Sequence, residues 1–299
     1  MGLSDSRLHG IIIKAIAGFC YVEVGDTVYE CKPRGSFRKE NISPVAGDIV
    51  EISENGDKGV VEVISERKNL LIRPPLANLD KLFIVSSYSV PSVNTLLIDR
   101  MTAISEHLGI TPVLVFNKAD LGSFGDIPDI YKKIGYSVYT VSAESGEGIE
   151  AIEKEFDGCL SAFSGNSGVG KSSILNRIMP KLNLSTGDVS QKLGRGRHTT
   201  RTVELFRCKG GYVADTPGFS SLELVDFDIN DKDELMYLFK EFEDYTGKCR
   251  FTSCKHINEP GCAVLDALKG GEISKSRHLS YMSMYNDIKD IKPWEINKK

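Results

Sequence analysis

Gly165-Asn166-Ser167-Gly168-Val169-Gly170-Lys171-Ser172 satisfies G-x-x-x-x-G-K-[ST], the pattern of a phosphate-binding loop. The apolar run 160–164 before it predicts a buried strand, and residues 171–179 after it predict a helix. The glycines therefore lie at a strand-to-helix turn, where a curled backbone aims several N–H groups at phosphate oxygens. Lys171 would neutralise β/γ-phosphate charge and the Ser172 hydroxyl would ligate Mg²⁺, with Ser173 completing the cradle.

Two further motifs surround this loop. Downstream, Asp215-Thr216-Pro217-Gly218 follows the apolar run 211–214, which places Asp215 at the ligand edge of a sheet. There it would hold Mg²⁺ through water, while the Gly218 N–H meets the γ-phosphate. Upstream, Asn117-Lys118-Ala119-Asp120 closes the apolar run 113–116. The Asp120 carboxylate would accept from guanine N1–H and the exocyclic amine, as a buried acceptor that adenine leaves unpaired. Asn117 would hold base and loop, and Lys118 would pack along the purine. Ser142-Ala143, after another predicted strand, offers a backbone N–H to guanine O6. An ordinary GTPase runs phosphate loop, D-x-x-G, N-K-x-D. Here the guanine reader stands first, the order of a circularly permuted chain.

Residues 194–202 occupy the place of a loop that senses the γ-phosphate. Thr199 or Thr200 could ligate Mg²⁺ there, and Thr200 is the reading adopted. The position after D-x-x-G, often a water-orienting Gln, is Phe219, which cannot hydrogen-bond. Unassisted hydrolysis should then be slow. His198 is the internal candidate for positioning water, although a His in this loop could equally contact RNA or lie exposed. From 192 to 209 the chain carries Lys192, Arg195, Arg197, Arg201, Arg207 and Lys209 against the single acid Glu204. A solvated charged loop competes with an anion-binding role, and the place between two phosphate motifs favours the role.

The flanks differ in texture. Residues 1–70 hold five short β-branched and aromatic runs, at 10–16, 19–24, 27–31, 48–53 and 59–64. These suit an OB-type or an SH3-like barrel, and Lys32, Arg34, Arg38 and Lys39 in the 32–39 loop could touch RNA phosphates. Residues 71–222 alternate strands (81–88, 111–117, 137–142, 159–164, 202–207, 211–215) with helices (95–108, 149–156, 171–179), the mark of a mainly parallel sheet. Residues 223–299 read as helical, interrupted by Cys249-x₄-Cys254-x-His256-x₅-Cys262. Three thiols and one imidazole suit a closed, structural tetrahedral zinc site, which would staple a small module with little core of its own. His278 looks too distant to be needed as a ligand.

At 299 residues, with 41% hydrophobic and 26% charged side chains, the chain fits two or three folded domains. Apolar runs are too short to span a bilayer and no signal layout opens the sequence, so a cytoplasmic protein with no membrane partner is expected. The net charge of −4 argues against a general coat for nucleic acid but not against local patches. Cys20, Cys31, Cys159 and Cys208 are scattered and read as free thiols.

The motif order N-K-A-D, S-A, G-N-S-G-V-G-K-S, G-R-G-R-H-T-T-R and D-T-P-G-F, between a barrel-like front and a Cys₃His tail, resembles the RsgA (YjeQ/YloQ) family. The resemblance spans essentially the whole chain. It implies an α/β protein with an N-terminal OB-like, RNA-binding barrel, a circularly permuted P-loop GTPase domain and a C-terminal helical zinc-binding domain. It also implies slow GTP hydrolysis stimulated by the 30S subunit, with 16S rRNA, GTP and GDP as partners in late maturation of the bacterial small ribosomal subunit. A monomer is the default. Because the chain leaves the core soon after Phe219 and enters the Cys/His region, loss of the γ-phosphate should alter that region's grip on rRNA. Two rivals stand beside this reading: a non-catalytic RNA-binding scaffold with GTP as a structural ligand, which Phe219 keeps alive, and a permuted GTPase with a non-ribosomal partner.

Overall fold

Alternation of inward apolar and outward polar side chains builds the first unit. β1 (Leu8–Ile16), β2 (Phe19–Val24), β3 (Thr27–Pro33), β4 (Ile49–Asn55) and β5 (Lys58–Ile64) share an interior of Ile12, Cys20, Val22, Cys31, Ile52 and Val61. In the computed structural model, which describes residues 7–72, 74–180, 203–215 and 223–291, these strands close on themselves. β1 pairs antiparallel with β2 and β4, β2 with β3, and β4 with β5, while β3 and β5 run parallel. The parallel contact gives the Greek-key crossover of an OB barrel, which settles the choice that strand spacing left open. The helical turn α1 (Ser36–Lys39) lies between β3 and β4.

Strand four starts at Ile49 rather than at 48, because Asp48 is wholly buried and does other work. Its carboxylate accepts from the Val45 N–H at 2.8 Å and from the Arg67 guanidinium at 2.6 and 2.8 Å. A buried charge persists only with such partners. A hairpin absent from the sequence reading, β6 (Leu70–Ile72) and β7 (Pro75–Ala77), leads out of the barrel.

The central unit follows from continuous apolar runs, which parallel strands need because both faces are covered. β8 (Lys81–Ser87), β9 (Thr111–Asn117), β10 (Ser137–Thr140), β11 (Leu160–Ser164) and β13 (Gly211–Asp215) are parallel in the order β10-β9-β8-β11-β13, with antiparallel β12 (Glu204–Cys208) outside β13. α2 (Thr95–His107), α3 (Ile127–Ile134), α4 (Ile149–Glu153) and α5 (Lys171–Ile178) cover its faces. The expected helix 149–156 is α4 followed by a tighter turn, Lys154–Phe156. One face is sealed by the stacked rings of Phe83, Phe156 and Phe163, with Phe83 4.4 Å from Phe156 and 5.0 Å from Phe163. Burial of each such side chain contributes about 1.5–3 kcal/mol.

The sheet does not stop at β12. Lys14 of β1 pairs with Glu204 of β12, so barrel and central sheet form one eleven-stranded system. Lys14 Nζ lies 2.7 Å from the Glu204 carboxylate, and Tyr212 donates to Glu23 at 2.6 Å. Arg207 spans the same seam, 2.9 Å from both Glu23 and Asp26, and Lys209 pairs with Glu153 at 3.0 Å. These two members of the basic segment thus serve the protein's own contacts.

The third region departs from expectation. Residues 224–242 form short 3₁₀ turns, Leu224–Phe227, Leu235–Leu238 and Lys240–Phe242, and regular helices come only with α6 (Ala263–Gly270) and α7 (Lys275–Ile288). Asp and Asn side chains compete for backbone donors and break helix there, as where Asp231 accepts from the Asp233 N–H at 2.7 Å. Its core is continuous with the outer face of the central sheet through Ile98, Met101, Phe239, Phe242, Tyr281 and Met284. At the seam Arg277 of α7 is fully buried. It donates to Asp99 of α2 at 2.8 Å and to Glu241 at 2.6 and 3.0 Å, while Tyr131 of α3 donates to Asp99 at 2.7 Å. This buried network, centred on Asp99 Oδ1, ties the two units together.

Candidate functional site

Five parallel strands deliver their C-terminal ends to one edge of the sheet, where ligands of open α/β sheets bind. β11 ends at Ser164, directly before Gly165, and α5 starts at Lys171, directly after Gly170. β9 ends at Asn117, β13 at Asp215, and the chain passes from β10 to Ser142. Motifs that are scattered and permuted in sequence are therefore neighbours. The spatial order β9-β8-β11-β13 shows that this edge depends on strand placement rather than on chain order.

Asn117 is the joint of this edge. It is buried; its Nδ2 donates to the Val169 carbonyl of the glycine loop at 2.9 Å, and its Oδ1 accepts from the Ala143 N–H at 3.0 Å. One side chain thus fixes the 165–172 loop against the Ser142-Ala143 turn. The close approach needs glycine at 170: φ is +97°, and a Cβ there would fall 2.2 Å from Asn117 Nδ2. Gly170→Ala should weaken nucleotide binding roughly tenfold or more through backbone strain and displacement of Asn117, read by titration with a fluorescent guanine nucleotide.

Lys171 extends over the loop, its Nζ donating to the Gly165 carbonyl at 2.6 Å and the Asn166 carbonyl at 2.9 Å. Burial holds its pKa below the usual lysine value, and a bound polyanion would favour its charged form again. Ser172 and Ser173 are half-buried on the first turn of α5, and Ser167 and Gly168 are exposed at the loop tip. A loop of this form, with backbone donors at a helix N-terminus and one cation, fits a nucleotide's phosphates.

At the other end of the edge Lys118 adopts a left-handed φ of 65°, which turns the chain sharply after β9. Asp120 accepts from the Ser142 hydroxyl at 2.5 Å. It is exposed, contrary to the expectation of a buried acceptor, so its desolvation would have to come from the base itself. Arg177, unremarked in the sequence reading, donates to the Ala143 carbonyl at 2.8 Å and to the Glu144 carbonyl, tying α5 to the same turn. Ser172, read from the sequence as a Mg²⁺ ligand, is the second residue of α5, directly after Lys171. His198, Thr199, Thr200, Gly218 and Phe219 lie outside the described residues, and of Asp215 only its place at the end of β13 is described.

Cys249, Cys254, His256 and Cys262 come together as predicted and could hold a metal ion, their ligand atoms all within 4.8 Å of one another. His256 Nδ1 lies 3.6, 3.5 and 3.3 Å from the sulfurs of Cys249, Cys254 and Cys262, and the Cys249 and Cys262 sulfurs are 3.9 Å apart. A tetrahedral zinc with bonds of about 2.3 Å to sulfur and about 2.0–2.1 Å to nitrogen needs separations of roughly 3.5–3.8 Å, which these four distances approach, so the donor set suits zinc once the wider pairs draw in. Burial pushes the Cys254 thiol up to about 12 and raises Cys262, while burial keeps His256 toward its neutral, ligating form. A bound cation would reverse the thiol shifts by drawing out thiolates. The Ala263 N–H points at Cys249 Sγ from 3.3 Å, at the start of α6. His278 is not one of the ligands, as expected, but its Nε2 lies 2.7 Å from the His256 carbonyl oxygen and braces the ligand loop. Glu259 wraps that loop by accepting from the N–H groups of Lys255, Ile257 and Asn258 at 2.8, 2.9 and 3.0 Å.

Comparison with known proteins agrees with this anatomy. A family model described as RsgA GTPase matches residues 64–225, and one described as RsgA N-terminal domain matches residues 9–61. The small ribosomal subunit biogenesis GTPase RsgA of Caldanaerobacter subterraneus is 44% identical over 289 residues, covering 95% of this chain and 97% of that protein. The protein of the same name from Bacillus subtilis is 43% identical over 296 residues, covering 95% and 98%. Among solved structures, YjeQ from Thermotoga maritima superposes with a TM-score of 0.81 at 34% identity, covering 96% of this chain and all of that one. YloQ, described as a circularly permuted GTPase, gives 0.79 at 37% identity, covering 98% and 99%.

Proposed function

The chain belongs to the RsgA GTPase family, and from that premise we propose that it hydrolyses GTP as a maturation factor of the 30S ribosomal subunit. In this reading residues 1–70 are an RNA-binding OB barrel, 71–222 the permuted GTPase domain and 223–299 a zinc-stapled domain. The observation that carries it is the single sheet edge that gathers Asn117, Ser142, the 165–172 loop and Asp215 between two flanking units. The names of the relatives supply the ribosomal direction. The barrel's exposed Lys32, Arg34, Arg38 and Lys39 would contribute phosphate contacts to 16S rRNA. The protein would act in the cytoplasm as a monomer, and no helix among the described residues is long and apolar enough to cross a membrane.

In the proposed site Asn117, Lys118, Asp120, Ser142 and Ala143 read guanine, and Gly165 to Ser173 with Lys171 cradle the phosphates. Ser172, Thr200 and Asp215 would hold Mg²⁺, which when bound offsets charge on the β- and γ-phosphates. Lys171 orients the γ-phosphoryl group, and the Gly218 N–H caps it. Cys249, Cys254, His256 and Cys262 would hold one structural zinc. His198 would orient the attacking water in the ribosome-bound protein, because Phe219 has no side-chain hydrogen-bonding group to do so. His198→Ala should lower the 30S-stimulated rate about 10²-fold while leaving the GTP KM nearly unchanged. A fully stimulated H198A enzyme would remove His198 from the chemistry.

β12 lies between the 181–202 segment and the 216–222 segment and pairs with the barrel, while α2 is clamped to the third unit through Arg277. Nucleotide state would thus reach both flanking units and control binding and release. Co-sedimentation of the full chain with 30S subunits across a salt series tests this. Retention should be about tenfold tighter with a non-hydrolysable GTP analogue than with GDP and should weaken with salt. Equal retention in both nucleotide states would contradict it.

A further inference from the structure

The guanine-reading turn at 118–122 is exposed where Asp120 leaves it, so something other than burial must fix its position. On one side it is pinned by the end of β10: the Ala119 N–H donates to the Val141 carbonyl at 3.0 Å, and Ser142 donates to Asp120. On the other side stands Tyr88, just past β8, in a segment that no nucleotide motif includes. The Tyr88 N–H donates to the Asn117 carbonyl at 3.1 Å. Its ring lies directly on Gly122, where an added Cβ would fall 2.2 Å from Tyr88 Cζ. The ring meets Phe124 edge-on at 5.9 Å, and Phe124 rests on buried Phe116, the residue before Asn117, at 5.1 Å.

We infer that Tyr88 is a positioning residue for guanine specificity: its ring, seated on Gly122 and backed by Phe124, holds the 118–122 turn so that the Asp120 carboxylate meets the base. The neighbouring Ser89 hydroxyl, 3.4 Å from Lys118 Nζ, braces the same turn. A carboxylate that must align with two N–H donors of the base tolerates little displacement, since shifts of about 1 Å can cost up to 10²-fold. Without the ring, the turn keeps its β10 contacts but loses the wall opposite them. This inference rests on Asn117 and Asp120 being the guanine readers.

The test compares the full-length wild type with Tyr88→Ala, Tyr88→Phe and Asp120→Ala, using GTP and ITP as substrates. ITP keeps guanine's N1–H and O6 but lacks the 2-amino group, so the GTP-to-ITP preference reports the alignment of Asp120. Y88A should raise the GTP KM about tenfold with kcat within about twofold, and should narrow the preference for GTP over ITP. Y88F should restore both, because the ring and not the hydroxyl does the holding. An unchanged GTP KM or preference in Y88A would overturn the inference. So would an equal rise in KM for both nucleotides with a lowered Tm, which marks a merely structural ring, or a Y88F enzyme as impaired as Y88A. If D120A itself keeps the full preference for GTP, the underlying assignment of the guanine readers falls instead.

Discussion

Replacing Lys171 by Ala should lower GTP turnover about 10³-fold, to be read as phosphate release at saturating GTP. The expectation follows from the position of one charge. The glycine loop offers backbone dipoles, but among its own residues, 165–172, Lys171 supplies the only cation. Its Nζ is already suspended over the loop by the Gly165 and Asn166 carbonyls, so little reorganisation separates it from the phosphates. Charge developing on the γ-phosphoryl oxygens would lose its nearest fixed counter-charge in the variant. Lys171→Arg should rescue poorly, since a planar guanidinium cannot take the place of a compact ammonium under the same two carbonyls. The Tm should move little, because Lys171 is only half-buried and its removal leaves the Asn117 joint intact. Turnover within about twofold of wild type would show that the loop does not carry the chemistry.

Loss of the metal should unfold the third unit. Chelation at neutral pH, or Cys254→Ser, is expected to lower the Tm by about 10 °C and to expose amides of α6 and α7 to hydrogen exchange. Metal analysis of the untreated protein should return zinc at one ion per chain, and C254S should bind markedly less. The large effect follows from how little else orders residues 249–262. They contain no regular element, and Cys254, His256 and Cys262 are buried around one another. Phe242 packs against His256 with ring centres 5.9 Å apart, so collapse of the ligand loop opens a core shared with the central sheet. For that reason the nucleotide unit should be destabilised as well, which a broadened or two-step melt would record. A protein with unchanged Tm and no zinc would refute the staple.

How much of this was legible before folding depended on the distance over which a constraint acts. The glycine loop, Asn117 to Asp120 and the Cys/His set could be read because their chemistry fixes residue types within a few positions. The parallel β3–β5 contact that defines the barrel is non-local, and spacing alone left two barrels open. Asp99 and Arg277 are 178 residues apart and carry no local motif, yet they meet in a buried network. Arg177 was invisible for the same reason: a helix arginine acquires a role only when β10 brings Ala143 beside it. The 223–244 stretch reads as helical, but its Asp and Asn side chains favour turns, and only short 3₁₀ turns form there. His278 is no ligand, as its sequence distance suggested, but its bracing contact is non-local and appears only because α7 returns to the ligand loop.

Turnover of GTP by the full-length protein, measured with and without purified 30S subunits at low and physiological salt, tests the central claim most directly. A slow rate alone, raised at least tenfold by 30S subunits and not by 50S subunits or free RNA, is the predicted result. An unstimulated rate under all conditions would contradict it and would leave a nucleotide-stabilised RNA-binding scaffold as the better description.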